Sequence, residues 1–320
     1  MVFQEAITLL VSLAILSKSS DFVVENAVNL SRFFGLSKIA VGALLLAVST
    51  SLPELSVSVL SATIGGGAIA LGNVFGSSIT NILLVLGFGG FLYGITIRKR
   101  ALYDVSFILL FSALLPVYII LSMFFNNQAL GFIEGFVLLL LFAVYAYYSF
   151  VRKIDIENGD HVTKKQALQS FVIFFFSIIV VLISAGFVVD SALKLATQLN
   201  IAQSFIGATI IAVGTSLPEL TIDLKAIRRK HYDLAIGDAI GSNLINTTLV
   251  LGTAAVINPI VVSINIFSVI LMFVVLANFL FLYVAATQNK LNKFGGLLFL
   301  IVYVLYFISI FYMQASELVT

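Results

Sequence analysis

Cysteine is absent from the 320 residues, which excludes disulfides, Fe–S clusters and thiolate zinc sites. Histidine is almost absent: His161 and His231 both lie in polar stretches, and neither belongs to a metal-binding spacing such as H-E-x-x-H. Charge is scarce as well. Asp, Glu, Lys and Arg make up 10% of the chain, where a soluble domain carries roughly 25%. The net charge of +2 comes with no basic patch interleaved with aromatics, so nucleic acid is not expected as a partner. There are four prolines, few enough that their positions carry weight. No Lys or Arg precedes Lys18, and Glu5 stands in the first apolar run, so no cleaved signal peptide is expected.

What is present is apolar. Hydrophobic residues make up 61% of the chain, and the mean hydropathy is +1.14. No soluble core hides that much apolar side chain, so the lipid bilayer must be the solvent for most of it. Runs of about 20 apolar residues mark membrane helices. Ten are predicted, near 3–25, 38–62, 68–93, 103–125, 129–151, 167–190, 204–227, 234–257, 261–285 and 294–314. Gly65-Gly66-Gly67 and Asn126-Asn127 supply two tight turns, and the longest polar insert, Arg152 to Gln166, separates the fifth span from the sixth. Basic loops stay cytoplasmic. Counting residues at flanking helix ends, every Lys and Arg except Lys194 falls after an odd-numbered span. Both termini are therefore expected outside the cell membrane and the 152–166 loop inside.

One register runs through both halves. Gly42-Ala43, Ala47-Val48 and Thr50-Ser51-Leu52-Pro53-Glu54-Leu55 recur 165 residues later as Gly207-Ala208, Ala212-Val213 and Thr215-Ser216-Leu217-Pro218-Glu219-Leu220. Gly72, Gly76, Ser77, Asn81 and Leu84-Val85-Leu86-Gly87 recur at the same offset as Gly237, Gly241, Ser242, Asn246 and Leu249-Val250-Leu251-Gly252. Upstream, Phe22-Val23-Val24 matches Phe187-Val188-Val189. This is a duplication. It divides the chain into 1–151, with its motif at 42–87, a linker at 152–166, and 167–320, with its motif at 207–252. Five spans per copy is an odd number, so the second copy inserts upside down. The expected fold is an all-α membrane protein of ten transmembrane helices in two inverted five-helix repeats, with Glu54 and Glu219 facing one another near the bilayer centre.

A carboxylate at that depth costs at least ~2.5–3.5 kcal/mol. Glu54 and Glu219 are the acids placed deep inside spans, and no intramembrane Lys or Arg is available to neutralise them. Two such carboxylates need a cation or protons; protonated glutamates acting only as hydrogen-bonding glue are the alternative. Pro53 and Pro218 directly precede them and leave the carbonyls of Ser49 and Gly214 without helical donors. Broken backbone at membrane depth is tolerated where it lines a cavity or an ion site. Thr50 and Thr215 sit one turn before the glutamates, with Ser51 and Ser216 adding hydroxyls; a simple proline kink capped by hydroxyls is compatible with the same residues. Gly72/Gly76 and Gly237/Gly241 form small-xxx-small faces for close helix packing. Ser77 and Asn81, like Ser242 and Asn246, follow at i, i+4 on one face and offer oxygen ligands, although such residues also serve as interhelical hydrogen bonders. The donor set is all oxygen, which suits hard cations such as Ca²⁺ and not soft transition metals. Asp21, Asp104, Asp190 and Asp233 read as span-end acids, and Asp223 and Asp238 as solvated interfacial acids near the cytoplasmic mouth.

On these motifs the chain resembles the cation/Ca²⁺ exchanger superfamily, in particular its small prokaryotic, archaeal-type Na⁺/Ca²⁺ exchangers. The carriers are Ser49-Thr50-Ser51-Leu52-Pro53-Glu54 and Gly214-Thr215-Ser216-Leu217-Pro218-Glu219. Their partners are Gly72-Asn73-Val74-Phe75-Gly76-Ser77 and Gly237-Asp238-Ala239-Ile240-Gly241-Ser242. The resemblance covers essentially the whole chain. It implies a central site where Glu54 and Glu219 bind Ca²⁺ or Na⁺ in alternation, helped by oxygens of Thr50, Ser51, Thr215, Ser216, Ser77 and Ser242. It also implies carbonyls of Ala47 and Ala212 at flanking Na⁺ positions, and spans one and six that slide across the core.

Two departures stand out. Asn occupies position 246, where K⁺-dependent relatives carry Asp, and Asp occupies 238, where Asn is usual. The 152–166 loop is too short for a regulatory domain, and the Gly-Asn-x-x-Glu pattern of the Ca²⁺/H⁺ branch is missing. The leading reading is electrogenic antiport of three Na⁺ for one Ca²⁺ by a monomer that needs no cofactor. Ca²⁺/H⁺ antiport is the alternative, and a cation channel the alternative of another class. No nucleophile–base pair or zinc motif points to an enzyme.

Overall fold

The structure, a computed structural model, describes residues 2–63, 67–98, 129–151, 162–198, 212–261 and 264–317, with positions 114, 117, 118 and 121. Its first half runs as α1 (Val2–Phe34), α2 (Lys38–Thr50), α3 (Leu52–Thr63), α4 (67–93), β1 (Ile95–Thr96), β2 (Ala129–Leu130) and α5 (Phe132–Val151). The second half runs as α6 (Lys164–Gln198), α7 (Ala212–Thr215), α8 (Leu217–Arg228), α9 (Tyr232–Ile257), β3 (Ile260–Val261), α10 (Ile264–Gln288), β4 (Lys290–Leu291) and α11 (Lys293–Glu317). Among the described residues seven helices are long and apolar enough to cross a membrane, and the pair α2–α3, bent by 45° at Ser51, brings the number to eight. The fourth predicted span, Asp104, His161, the Gly65-Gly66 and Asn126-Asn127 turns and the first part of the seventh span, 204–211, fall outside the described residues except at the four isolated positions.

Helix starts carry the caps that polar residues supply. Ser37 accepts the Ala40 N–H at 3.1 Å ahead of α2. At α6, Thr163 and Gln166 form a reciprocal box: the Thr163 hydroxyl accepts the Gln166 N–H at 3.3 Å, and the Gln166 side chain accepts the Thr163 N–H at 2.9 Å. α1 and α6 outrun their predicted apolar windows, 3–25 and 167–190, by about nine and eight residues at their C-terminal ends. Their extensions are polar enough to escape an apolar window, yet keep helical partners. Lys18 lies within α1, its ammonium 5.4 Å from the Phe22 ring centroid.

The halves are related as the sequence register requires. α1 and α6 lie antiparallel along one another. Lys194 approaches Glu5 at 3.9 Å, and Asn29 donates to Ser170 at 3.3 Å. Shifting Glu5 by 165 residues gives Ser170, and shifting Asn29 gives Lys194, so each contact is the image of the other. The short strands repeat the pattern. β1 pairs with β4, Ile95 opposite Leu291, and its counterpart β3 pairs with β2, Ile260 opposite Leu130. Each pairing joins one half to the other.

α4 and α9 form the centre: 78% of the apolar window of each is buried within the protein, against 11% for α5. The outward faces carry Ile133, Phe176, Phe294 and Tyr312, all more than 65% exposed, as a surface solvated by lipid requires. α9 meets α2 backbone to backbone. A methyl on Gly241 would strike the Ala43 backbone, one on Gly237 the Ile39 carbonyl, and one on Gly42 the Leu234 carbonyl. The small-residue face predicted on α9 is therefore a packing seam that brings α2 against the centre.

Candidate functional site

Ser51 and Ser216 mark matching breaks. Each closes a short helical segment, at φ −79°, ψ 6° for Ser51 and φ −91°, ψ 11° for Ser216. α3 and α8 then start afresh with Pro53 and Pro218 in their first turns, where a missing N–H does no harm. The glutamates therefore lie in first turns, Glu54 in α3 and Glu219 in α8, near the partial positive charge of those helix starts. Both are fully buried.

The Glu54 carboxylate accepts a hydrogen bond from the Ser77 hydroxyl at 3.2 Å through Oε1, and its Oε2 has no partner among the described residues. Neither Glu219 oxygen has one. The two carboxylates are close enough to repel, with Thr50 of the first half beside Glu219 and Thr215 of the second beside Glu54. This cross-pairing follows from the inverted arrangement. The hydroxyls of Ser51 and Ser216 are also buried and unpartnered. Asn81 donates to the Asn243 side-chain oxygen at 3.4 Å, and among the described residues its own oxygen and both polar atoms of Asn246 have no partner. Asn81 and Asn246 sit in matching π-helical turns, Thr80–Leu86 and Asn246–Val250, a distortion common at functional sites. Ser242 lies 3.5 Å from Thr50.

Contacts bring Glu54, Ser77, Thr50, Thr215, Glu219 and Ser242 together, with Asn81 joined to Asn243 next to Ser242, while Ser51, Ser216 and Asn246 are buried on adjoining turns of the same helices. Ala47 is buried there too, but its carbonyl already accepts from the Ser51 N–H at 3.0 Å and from Thr50 at 3.4 Å. Ala212 opens α7. Among the described residues no three carboxylate or imidazole groups converge tightly enough to hold a metal ion by themselves. An ion between the glutamates would complete its shell from hydroxyls, amides and carbonyls, as a weakly directional hard cation allows.

Asp223 and Asp238 require a correction. They were expected at the solvated interface, and both are fully buried. The short turn 229–231 sends α9 straight back into the protein beside α8, and the start of α2 covers it through the Gly42 and Gly237 contacts. Asp238 accepts from Thr50 at 3.3 Å, so Glu54 and Glu219 are not the only deep acids. Asn243 was missed as well; besides its contact with Asn81 it donates to the Ser78 carbonyl at 3.2 Å. The departure from Asn at 238 was the sequence signal for the first. The 165-residue match of Asn243 to Ser78 was the signal for the second.

Known proteins resemble this chain over most of its length. The profile of a family described as sodium/calcium exchanger protein matches residues 5–151 and 169–312. An uncharacterized membrane protein of Methanocaldococcus jannaschii, MJ0091, is 31% identical over 92% of this chain and 94% of its own. The sodium/calcium exchanger MaX1 of Methanosarcina acetivorans is 26% identical over 95% and 97%. A solved structure of the sodium-calcium exchanger NCX_Mj, soaked with 10 mM Na⁺ and no Ca²⁺, superposes with a TM-score of 0.83 at 30% identity, covering 97% of this chain and 99% of that one. The chain therefore belongs to the sodium/calcium exchanger family: it is a multi-pass, all-helical membrane transporter of the cation-antiporter class and not an enzyme.

Proposed function

We propose that the protein exchanges Na⁺ for Ca²⁺ across the cell membrane by alternating access, at three Na⁺ per Ca²⁺, through the Glu54–Glu219 site. The observation that carries this reading is a pair of buried carboxylates that, among the described residues, have no basic partner and three of four oxygens unpartnered, flanked by hydroxyls from both inverted halves. Two carboxylates balance one Ca²⁺ and leave one positive charge on a three-Na⁺ state. Thr50, Ser51, Ser77 and Asn81, with their counterparts Thr215, Ser216, Ser242 and Asn246, complete the ion shells; Ala47 and Ala212 contribute backbone carbonyls.

The protein works as a monomer made of the halves 1–151 and 167–320. Both termini face outward and the 152–166 linker lies in the cytoplasm, as the basic residues require. α1 and α6, each bound lengthwise to the other, slide over the core to expose the site to one side and then to the other.

The test is Na⁺-gradient-driven ⁴⁵Ca²⁺ uptake into proteoliposomes, with the membrane potential set by K⁺ and valinomycin. Uptake should accelerate when the compartment gaining Ca²⁺ is held positive, because one net charge leaves it per cycle. A rate indifferent to potential refutes the three-for-one count. Uptake driven by a pH gradient and not by Na⁺ would assign the exchange to protons.

A further inference from the structure

The duplication supplies an internal comparison that singles out one pair of side chains. In the first half, Asn73 of α4 lies beside Ser58 of α3, donating to the Ser58 hydroxyl at 3.0 Å and to the Glu54 carbonyl at 3.0 Å. That pair is neutral and hydrogen-bonded. Shifted by 165 residues, Ser58 becomes Asp223 and Asn73 becomes Asp238. The second half thus places two carboxylates where the first places a hydroxyl and an amide.

Both aspartates are fully buried and near one another. Asp238 Oδ1 accepts from Thr50, and the two carboxyl groups lie within hydrogen-bonding reach of each other, but Asp238 Oδ2 and both oxygens of Asp223 have no other partner among the described residues. The nearby basic groups are engaged elsewhere, Lys225 and Arg229 with Asp21 at 3.3 and 2.9 Å. Two buried carboxylates here lack, among the described residues, the counter-charge that burial demands. Their place is as informative as their burial. Asp223 lies one turn beyond Glu219 toward the Arg228 end of α8, and Asp238 one turn before Ser242 on α9, so the pair sits between the glutamates and the 229–231 turn. The inverted counterpart, Ser58–Asn73, lies on the opposite side of the glutamates.

We propose that Asp223 and Asp238 form a second cation site, on the cytoplasmic side of the Glu54–Glu219 site, which takes a hard, oxygen-seeking cation of Ca²⁺ type and has no equivalent on the outer side. Thr50 joins the two sites, standing beside Glu219 and bonded to Asp238. Four carboxylates balance two divalent ions, so both sites can be filled at once without net charge. An ion leaving the glutamates toward the cytoplasm then passes a binding station that an ion leaving outward does not meet.

The inference rests on the proposed function for the class of ion and for which side is cytoplasmic, and the test separates the second site from the exchange itself. Equilibrium ⁴⁵Ca²⁺ binding to the purified full-length protein, without Na⁺, should saturate at two ions per chain. Asp223→Ser with Asp238→Asn rebuilds the hydrogen-bonded pair of the first half and should reduce this to one. Glu54→Gln with Glu219→Gln should also leave one, and all four changes together none. Asp223→Asn alone keeps the shape of the side chain and should likewise cost one ion if the double variant does not purify as a monodisperse species. Wild-type saturation at a single ion, or two ions retained after Asp223→Ser with Asp238→Asn, overturns the second site. Two ions retained after both glutamates are changed, with one lost on changing the aspartates, keeps the second site and refutes the glutamate reading instead.

Discussion

A methyl group added at Gly241 tests whether the α2–α9 seam sets the geometry of the site. Built on the α9 backbone, that methyl meets the Cα, carbonyl carbon and oxygen of Ala43, atoms that no rotamer change can move. Carbon atoms sit about 3.5–4.0 Å apart at contact, so the helices must part by on the order of 1 Å. Ala43 precedes Thr50 by two helical turns, and Thr50 reaches Asp238 at 3.3 Å and Ser242 at 3.5 Å. Parting the helices takes both contacts past hydrogen-bonding range. The same shift disturbs the bond from the Tyr145 hydroxyl to the Ala43 carbonyl, 2.7 Å long. Overpacking of this kind costs about 1–3 kcal/mol, and a backbone obstacle places Gly241→Ala at the upper end. If the loss is felt at the site, apparent Ca²⁺ affinity falls about 5- to 150-fold. The assay is the Ca²⁺ dependence of Na⁺-driven ⁴⁵Ca²⁺ uptake, read beside the thermal unfolding temperature. Gly186→Ala on α6, whose methyl would meet nothing within 4 Å, is the control and should leave both unchanged. Gly241→Ala with wild-type affinity and wild-type unfolding temperature refutes the seam as the spacer of the site.

Glu54→Gln and Glu219→Gln should each abolish Ca²⁺ uptake while the protein stays monodisperse, since each change keeps an oxygen and the shape but removes half the counter-charge; uptake within twofold of wild type would remove that residue from the site. Cysteines replacing Val261, which is 62% exposed on β3, and Lys290 on β4 should label with an impermeant thiol reagent only from outside and only from inside respectively, in a chain without native cysteine; the reverse result inverts the topology. The His231 imidazole is pushed down to about 4, by burial first and then by Lys38, Arg229 and Arg32, and its Nδ1 lies 3.3 Å from the Lys38 ammonium. A group whose folded value is depressed contributes stability above its unfolded value, near 6.5, and that contribution is lost as pH falls toward 4. Thermal unfolding should therefore show a loss between those values that His231→Gln removes, and an unchanged profile in the variant would discount the contact.

Much of this was legible because the bilayer imposes a simple code. Apolar length marked spans such as α9 and α10, and a buried carboxylate without a basic partner is conspicuous in a chain this poor in charge. The 165-residue register aligned Glu54 with Glu219 and Asn81 with Asn246, but the short strand pairs, two residues long, left no signal in an all-α reading. Hydropathy fails where burial depends on a neighbour's path. Asp223 and Asp238 sit near a basic turn and look solvated, yet the start of α2 covers Asp238 and α1 packs along the helix of Asp223, and nothing in their own segments reports that. Asn243 escaped for a different reason: it belongs to neither i, i+4 pair, and a face counted at 3.6 residues per turn does not carry through the π-helical turns beside it. The extra turns of α1 and α6 lay outside any 20-residue window because they stay helical beyond the apolar stretch.

The two-residue ladders β1–β4 and β2–β3 act as clasps. Each ties the end of a central helix in one half to the other half, and they close the molecule at its opposite faces. A rocking of one whole half against the other would tear backbone hydrogen bonds near the membrane surface at every cycle. A motion confined to α1 and α6, which take no part in either ladder, leaves both fastened. The clasps thus tie the central helices of the two halves to one another at both faces, while α1 and α6 lie outside both ladders.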